Sequence, residues 1–202
     1  MKIKKAVFLA SNALLLATYV HSVQAEQAPF NHTELVADHR QTVPDSIDLS
    51  KIPFSEKELG EFPFLKLPAN ITTLNKPLTR EFDRLFFPYK GVMIPVEGHV
   101  YKAFLTSVEG KEWSLPYFEK TYREQIIAAG GVLIFSGKVA PSELNRIKDE
   151  ASYFGEEGSI DYANTLVRVY AIRRKTGDHV FIQFSGYSSG GSIQILQKEA
   201  SK

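Results

Sequence analysis

The chain contains no cysteine. Disulfides, thiol nucleophiles, zinc–thiolate sites and iron–sulfur clusters are therefore excluded. Small exported domains of animal fluids are usually stapled by disulfides. A cysteine-free exported chain instead points to a bacterium and to a fold held by its core alone. Excess charge is also scarce, with 24 basic against 23 acidic residues in 202. A nucleic-acid binder is expected to show a basic surplus, and an anionic membrane surface calls for a similar cluster. Neither is present. After residue 25, no apolar run approaches the ~20 residues that a membrane-spanning helix requires.

What is present begins at the N-terminus. Lys2, Lys4 and Lys5 precede an apolar run from Ala6 to Val20, and Val23-Gln24-Ala25 places small or slim residues around a cut. That order is the layout of a secretory signal peptide. The expectation is export to the periplasm, or secretion, with residues 1–25 removed and 177 residues left. No cysteine follows the run, so a lipid anchor is not expected. Three of the basic residues lie in the leader, which leaves 21 against 23 acidic ones and a mature charge near −2. The periplasm is poor in ATP, which disfavours nucleotide-driven chemistry. With 44% hydrophobic and 12% aromatic residues, the chain can bury a sizeable core.

Residues 26–60 are polar, carry prolines at intervals and show no sustained period, which predicts an irregular N-terminal arm. Residues 61–202 are expected to form a single α+β domain. Val96 to Val108 has strand character. Ser114 is suited to cap a helix in which Leu115, Phe118, Tyr122, Ile126 and Ala129 recur at helical spacing, and Gly130-Gly131 ends it. Val132 to Phe135 is a short strand, and Pro141 opens a second helix with Leu144, Ile147 and Ala151 on one face. Leu166 to Arg174, His179 to Ser185 and Ser192 to Gln197 form a closing meander. The fold class is α+β: a mostly antiparallel sheet with two helices packed on it, plus the arm.

Gly186-Tyr187-Ser188-Ser189-Gly190 matches the G-x-S-x-G nucleophile elbow. That motif needs a helix after the serine and a histidine later in the chain. Here an alternating strand follows, and no histidine comes after Gly190. A Ser/Gly turn between strands is the better reading. The same stretch lacks the lysine and the helix of a phosphate loop, and no cofactor motif occurs elsewhere. Glu97 and His99 share a strand face, yet a metal site needs three or four converging ligands. Asp38-His39 is the other local pair. Glu97, Glu156, Glu157 and Asp161 are candidate carboxylates for glycan hydrolysis, which requires two of them held across a cleft. Trp113, beside the helix cap, is suited to anchor the helix start.

Glu81-Phe82-Asp83-Arg84, Val96 to Tyr101, Ala128 to Val132, Tyr170 to Arg174 and Gly186 to Ser192 occur in an order that resembles the N-terminal region of some OmpA-family proteins of Gram-negative bacteria. The resemblance covers roughly residues 62–197. In those proteins this region precedes an OmpA-like peptidoglycan-binding domain. Such a domain has no counterpart before Lys202, so no binding residue carries over. The resemblance implies a cell-envelope location and supplies no activity. Binding therefore stands ahead of catalysis. The expected protein is a periplasmic, non-enzymatic binder or adaptor of an envelope protein or polymer, with no cofactor and no metal. The first candidate surface is the turn of Tyr187, Ser188, Ser189, Gly190 and Gly191, where glycine permits close backbone approach and tyrosine is a common interface anchor. The alternatives are a periplasmic inhibitor or immunity protein, and an envelope glycan or peptidoglycan hydrolase using the carboxylates above.

Overall fold

The computed structural model describes residues 44–151 and 155–200. The leader, the first part of the arm and the Asp38-His39 pair lie outside the described residues. Ten elements follow one another: β1 (Phe54–Ser55), β2 (Ile71–Thr73), β3 (Leu78–Tyr89), β4 (Val92–Ser107), α1 (Leu115–Ala128), β5 (Val132–Gly137), α2 (Pro141–Ile147), β6 (Val167–Arg174), β7 (Val180–Gly186) and β8 (Gly191–Lys198). They build one sheet in the order β6-β7-β8-β4, with β5 and β1 along one rim and β3 and β2 along the other. The sheet curls until β3 and β5 approach each other. All pairings are antiparallel except β1 with β6. The expectation of an α+β fold on a mostly antiparallel sheet holds in outline, and the β1–β6 pair makes the sheet mixed.

The first helix forms as its sequence dictates. Ser114 accepts the Tyr117 N–H at 3.3 Å, and Phe118, Tyr122 and Ile126 form the buried stripe. Gly130 then turns at φ 84°, a conformation that costs glycine little. The strands β3 and β4 form a long hairpin closed by Lys90 and Gly91, both at positive φ. That is the geometry a two-residue hairpin turn requires. The first half of β3 is solvent-exposed and charged, so its apolar signal starts only at Leu85.

Alternation along the strands sorts the sheet into two faces. Tyr170, Ile182 and Ile195 lie in one cross-strand row, and Phe184 and Ile193 in the next. The α1 stripe packs on this helical face, with Phe118 edge-on to Phe184. The inner face carries Ala171, Phe181, Leu196 and Val100 in one row. Ile147 of α2 packs into the core on this side. The two helices therefore cover opposite faces of the sheet. The described part of the arm belongs to the inner-face core as well: Ile52 is buried, and Ile47 and Leu49 pack beside it. Arg173 fixes that segment by donating to the carbonyls of Ser50 and Ile52 at 3.1 and 3.0 Å.

Candidate functional site

The turn of Tyr187, Ser188, Ser189, Gly190 and Gly191 joins β7 to β8 as a tight hairpin, with Tyr187 N–H donating to Gly190 O at 2.9 Å. A strand follows it, so the serine is not set on a strand-to-helix elbow. His179 lies beyond the far end of the seven-residue β7, roughly 20 Å away at strand rise. The glycines are explained by packing. A Cβ at Gly191 would come 2.8 Å from Phe118 Cζ, and one at Gly190 would come 2.7 Å from Leu105 O. At Gly186 it would strike Leu115. Trp113 packs on Phe118 and donates its indole N–H to Tyr187 O at 2.9 Å. It thereby ties the helix start to the turn. Tyr187 itself is 41% exposed.

Of the four candidate carboxylates, Glu97 lies on β4, whereas Glu156, Glu157 and Asp161 share segment 155–165. Glu97 accepts both Nε and Nη2 of Arg84, at 2.8 and 2.6 Å. Glu156 accepts from Lys102 Nζ at 2.6 Å and from both terminal nitrogens of Arg80. Its hydrogen bond from Arg80 is the largest influence that holds its pKa down to about 2, with Lys102 adding to it. A carboxylate so held stays ionised and cannot donate a proton near neutral pH. Glu157 accepts the Phe104 N–H at 2.7 Å and the Asn75 amide at 2.9 Å. It fills the place on β4 between the residues paired with β2 and those paired with β3. Asp161 caps its own turn through the N–H and side chain of Asn164. His99 departs from Glu97 and stacks on Phe62 at 3.8 Å, with its Nε2 buried and unbonded. Among the described residues, no group of three His, Asp or Glu converges as a metal site would need.

A second constellation was not legible as a site in the sequence. Lys102, Gln194 and Gln183 stand in one cross-strand row on the inner face, and all three are fully buried. Gln183 Nε2 lies within hydrogen-bond distance of Gln194 Oε1 at 2.8 Å, the Tyr162 hydroxyl at 2.9 Å and Phe86 O at 3.1 Å, and its two hydrogens serve two of these three at a time. Gln194 in turn donates to Gly158 O, and Ser192 to Ser159 O, each at 2.8 Å. Segment 155–165 is thus bound across the inner face by its backbone as well as by Glu156 and Glu157. Gly158 lies so close to β4 that a Cβ would come 2.5 Å from Ala103 N. The only sequence signal was a polar residue at alternate positions of two apolar strands.

A cavity of about 470 Å³ opens at the other end of the inner face. Ile47 and Leu49 of the arm wall one side, and Ile94, Val96 and Phe181 supply apolar surface from the sheet. Its polar lining includes the Arg84–Glu97 pair, His179 and Lys198. His179 Nδ1 accepts the Arg174 N–H at 3.1 Å, so the neutral ring carries its proton on Nε2. Burial lowers the His179 pKa, and the positive charges of Lys198 and Arg173 lower it further. Of the four candidate carboxylates only Glu97 lines this cavity. No family model, curated protein or solved structure matches the chain.

Proposed function

We propose that the protein is an exported, non-enzymatic binding protein of the Gram-negative cell envelope, and that it takes its ligand in the cavity at the open end of the curled sheet. One observation carries this reading. The cavity has the 300–1,000 Å³ size and the mixed apolar and polar lining typical of ligand sites. Of the carboxylates that hydrolysis would need, Glu97 stands on β4 and Glu156, Glu157 and Asp161 share segment 155–165, and each is already bound to neighbours. The leader supports export, and the resemblance to the region that precedes OmpA-like domains supports an envelope location. An inhibitor or immunity role is the variant of this reading in which the ligand is another protein. For that variant the half-exposed Tyr187 is the surface to alter first.

The test uses the protein isolated from the envelope fraction of its host, incubated with purified sacculi and with pools of envelope small molecules. The expected result is a rise in melting temperature with at least one pool and no release of muropeptides. Release of glycan or peptide fragments that is abolished by Glu97→Gln would overturn the reading in favour of hydrolysis. For a protein partner, Tyr187→Ala is expected to weaken recovery of that partner from periplasmic extract. Equal recovery with the wild type removes the turn as a docking surface.

A further inference from the structure

The binding cavity also carries information about its ligand. Its apolar lining comes from Ile47, Leu49, Ile94, Val96 and Phe181, which suits an aliphatic body rather than a sugar. Its charges do not cancel. Arg84 is neutralised by Glu97 through two hydrogen bonds to a single oxygen. Lys198 is exposed at the rim and has no ion-pair partner among the described residues. The nearby carboxylate of Asp178 is occupied by Arg174 and Gln197, at 3.0 and 2.9 Å. Burial lowers the His179 pKa most, and the charges of Lys198 and Arg173 lower it further against a smaller opposing effect of Asp178. The neutral His179 ring adds an N–H donor to the same wall.

We propose that the cavity binds an aliphatic monocarboxylate, with the chain against Ile47, Leu49, Val96 and Phe181 and the head group at Lys198 and His179. This rests on the cavity-binding reading above and narrows it. One uncompensated ammonium and one neutral donor match a single negative charge. A dianionic phosphate would keep one charge unmatched beside the Glu97 carboxylate. Charge-assisted hydrogen bonds to a carboxylate are the stronger kind, and the lysine stem adds apolar surface beneath its ammonium.

The experiment titrates the full protein calorimetrically with decanoate, decyl phosphate, decanol and decylamine, each below its micelle concentration. Decanoate is expected to bind most tightly. Lys198→Glu is expected to weaken it at least tenfold while leaving the melting temperature of this exposed position unchanged. Ile47→Ser is expected to weaken decanoate and decanol together. Equal binding of decanol and decanoate, or indifference to Lys198→Glu, overturns the head-group assignment and leaves the cavity as a binding site. Tighter binding of decyl phosphate overturns the choice of carboxylate. Failure of all four compounds to bind overturns the aliphatic ligand, while the pool screen of the preceding section still decides whether the cavity binds anything.

Discussion

The two faces of the sheet are covered by opposite means. On the helical face, aromatic and branched side chains meet α1, and Phe118 alone touches the rings of Trp113, Tyr122 and Phe184. On the inner face the middle of the sheet is polar, with Lys102, Gln183 and Gln194 fully buried. A loop rather than a helix satisfies that row. Apolar burial is non-directional and tolerates repacking. A buried polar row accepts only a cover that presents the right acceptors at the right places. The difference teaches where stability resides and where specificity of shape resides. Apolar packing holds the helical face and the ends of the inner face, while the polar row in the middle of the inner face fixes the path of segment 155–165.

The strongest challenge to this comparison is Phe118→Ala. It removes a ring that is wholly buried and in contact with three other rings. The expected loss is about 3–5 kcal/mol, measured as a fall in the urea midpoint. A loss below about 1 kcal/mol would mean that the glycine platform of Gly186 and Gly191 collapses onto the sheet and refills the space, and that α1 is not the anchor.

Removal of one partner from the Lys102–Glu156 pair comes next. Lys102 is fully buried, whereas the Glu156 side chain is 30% exposed. Glu156→Gln deprives a buried ammonium of its anion, with an expected loss of about 2–4 kcal/mol. Lys102→Met leaves a carboxylate that still holds Arg80 and reaches water, so its loss should stay under about 1.5 kcal/mol. Equal losses in the two variants would remove the claimed asymmetry. Acid sharpens the same test. The Glu156 pKa is depressed in the folded state from 4.5 to about 2. Its contribution is therefore fully present above about pH 4.5 and is lost as pH falls toward 2. The acid limb of the urea midpoint should flatten over that window in Lys102→Met, because one of the two cations that favour the ionised form is gone.

The faces also differ in how far they could be read from the chain. Ser114, Pro116 and the Phe118–Tyr122–Ile126 spacing lie within one helix, so local rules sufficed to place α1 and its buried stripe. Gly130 ended it for an equally local reason. The three-strand meander was legible because each strand alternates and a short connection containing Gly177, residues 175–179, separates the first two. The early half of β3 was not, since Arg80, Glu81 and Asp83 face solvent and mask its strand character. The polar row and its cover escaped because their partners are far apart in sequence: Glu156 is 54 residues from Lys102 and 76 from Arg80. The cavity escaped for the same reason, its wall being drawn from the arm, β3, β4, β7 and β8. The Ser/Gly turn resembles a motif, yet its glycines answer to packing, Gly191 against Phe118 of α1 and Gly190 against the Leu105 carbonyl of β4.

Ser192→Ala is the smallest and most local probe. Its hydroxyl donates to Ser159 O at 2.8 Å from a nearly buried position on the inner face. Loss of that bond should cost about 1 kcal/mol. The place where the cost appears matters more than its size. If segment 155–165 is held by several modest polar contacts acting together, amide hydrogen exchange should quicken at Ser159 and its neighbours, with α1 unchanged. Quickening that spreads to Phe118 and Tyr122 would show the two faces to be one cooperative unit. The loop would then be a part of the core rather than a separately fastened cover, and the contrast between dry and polar faces would describe composition without describing independent stability.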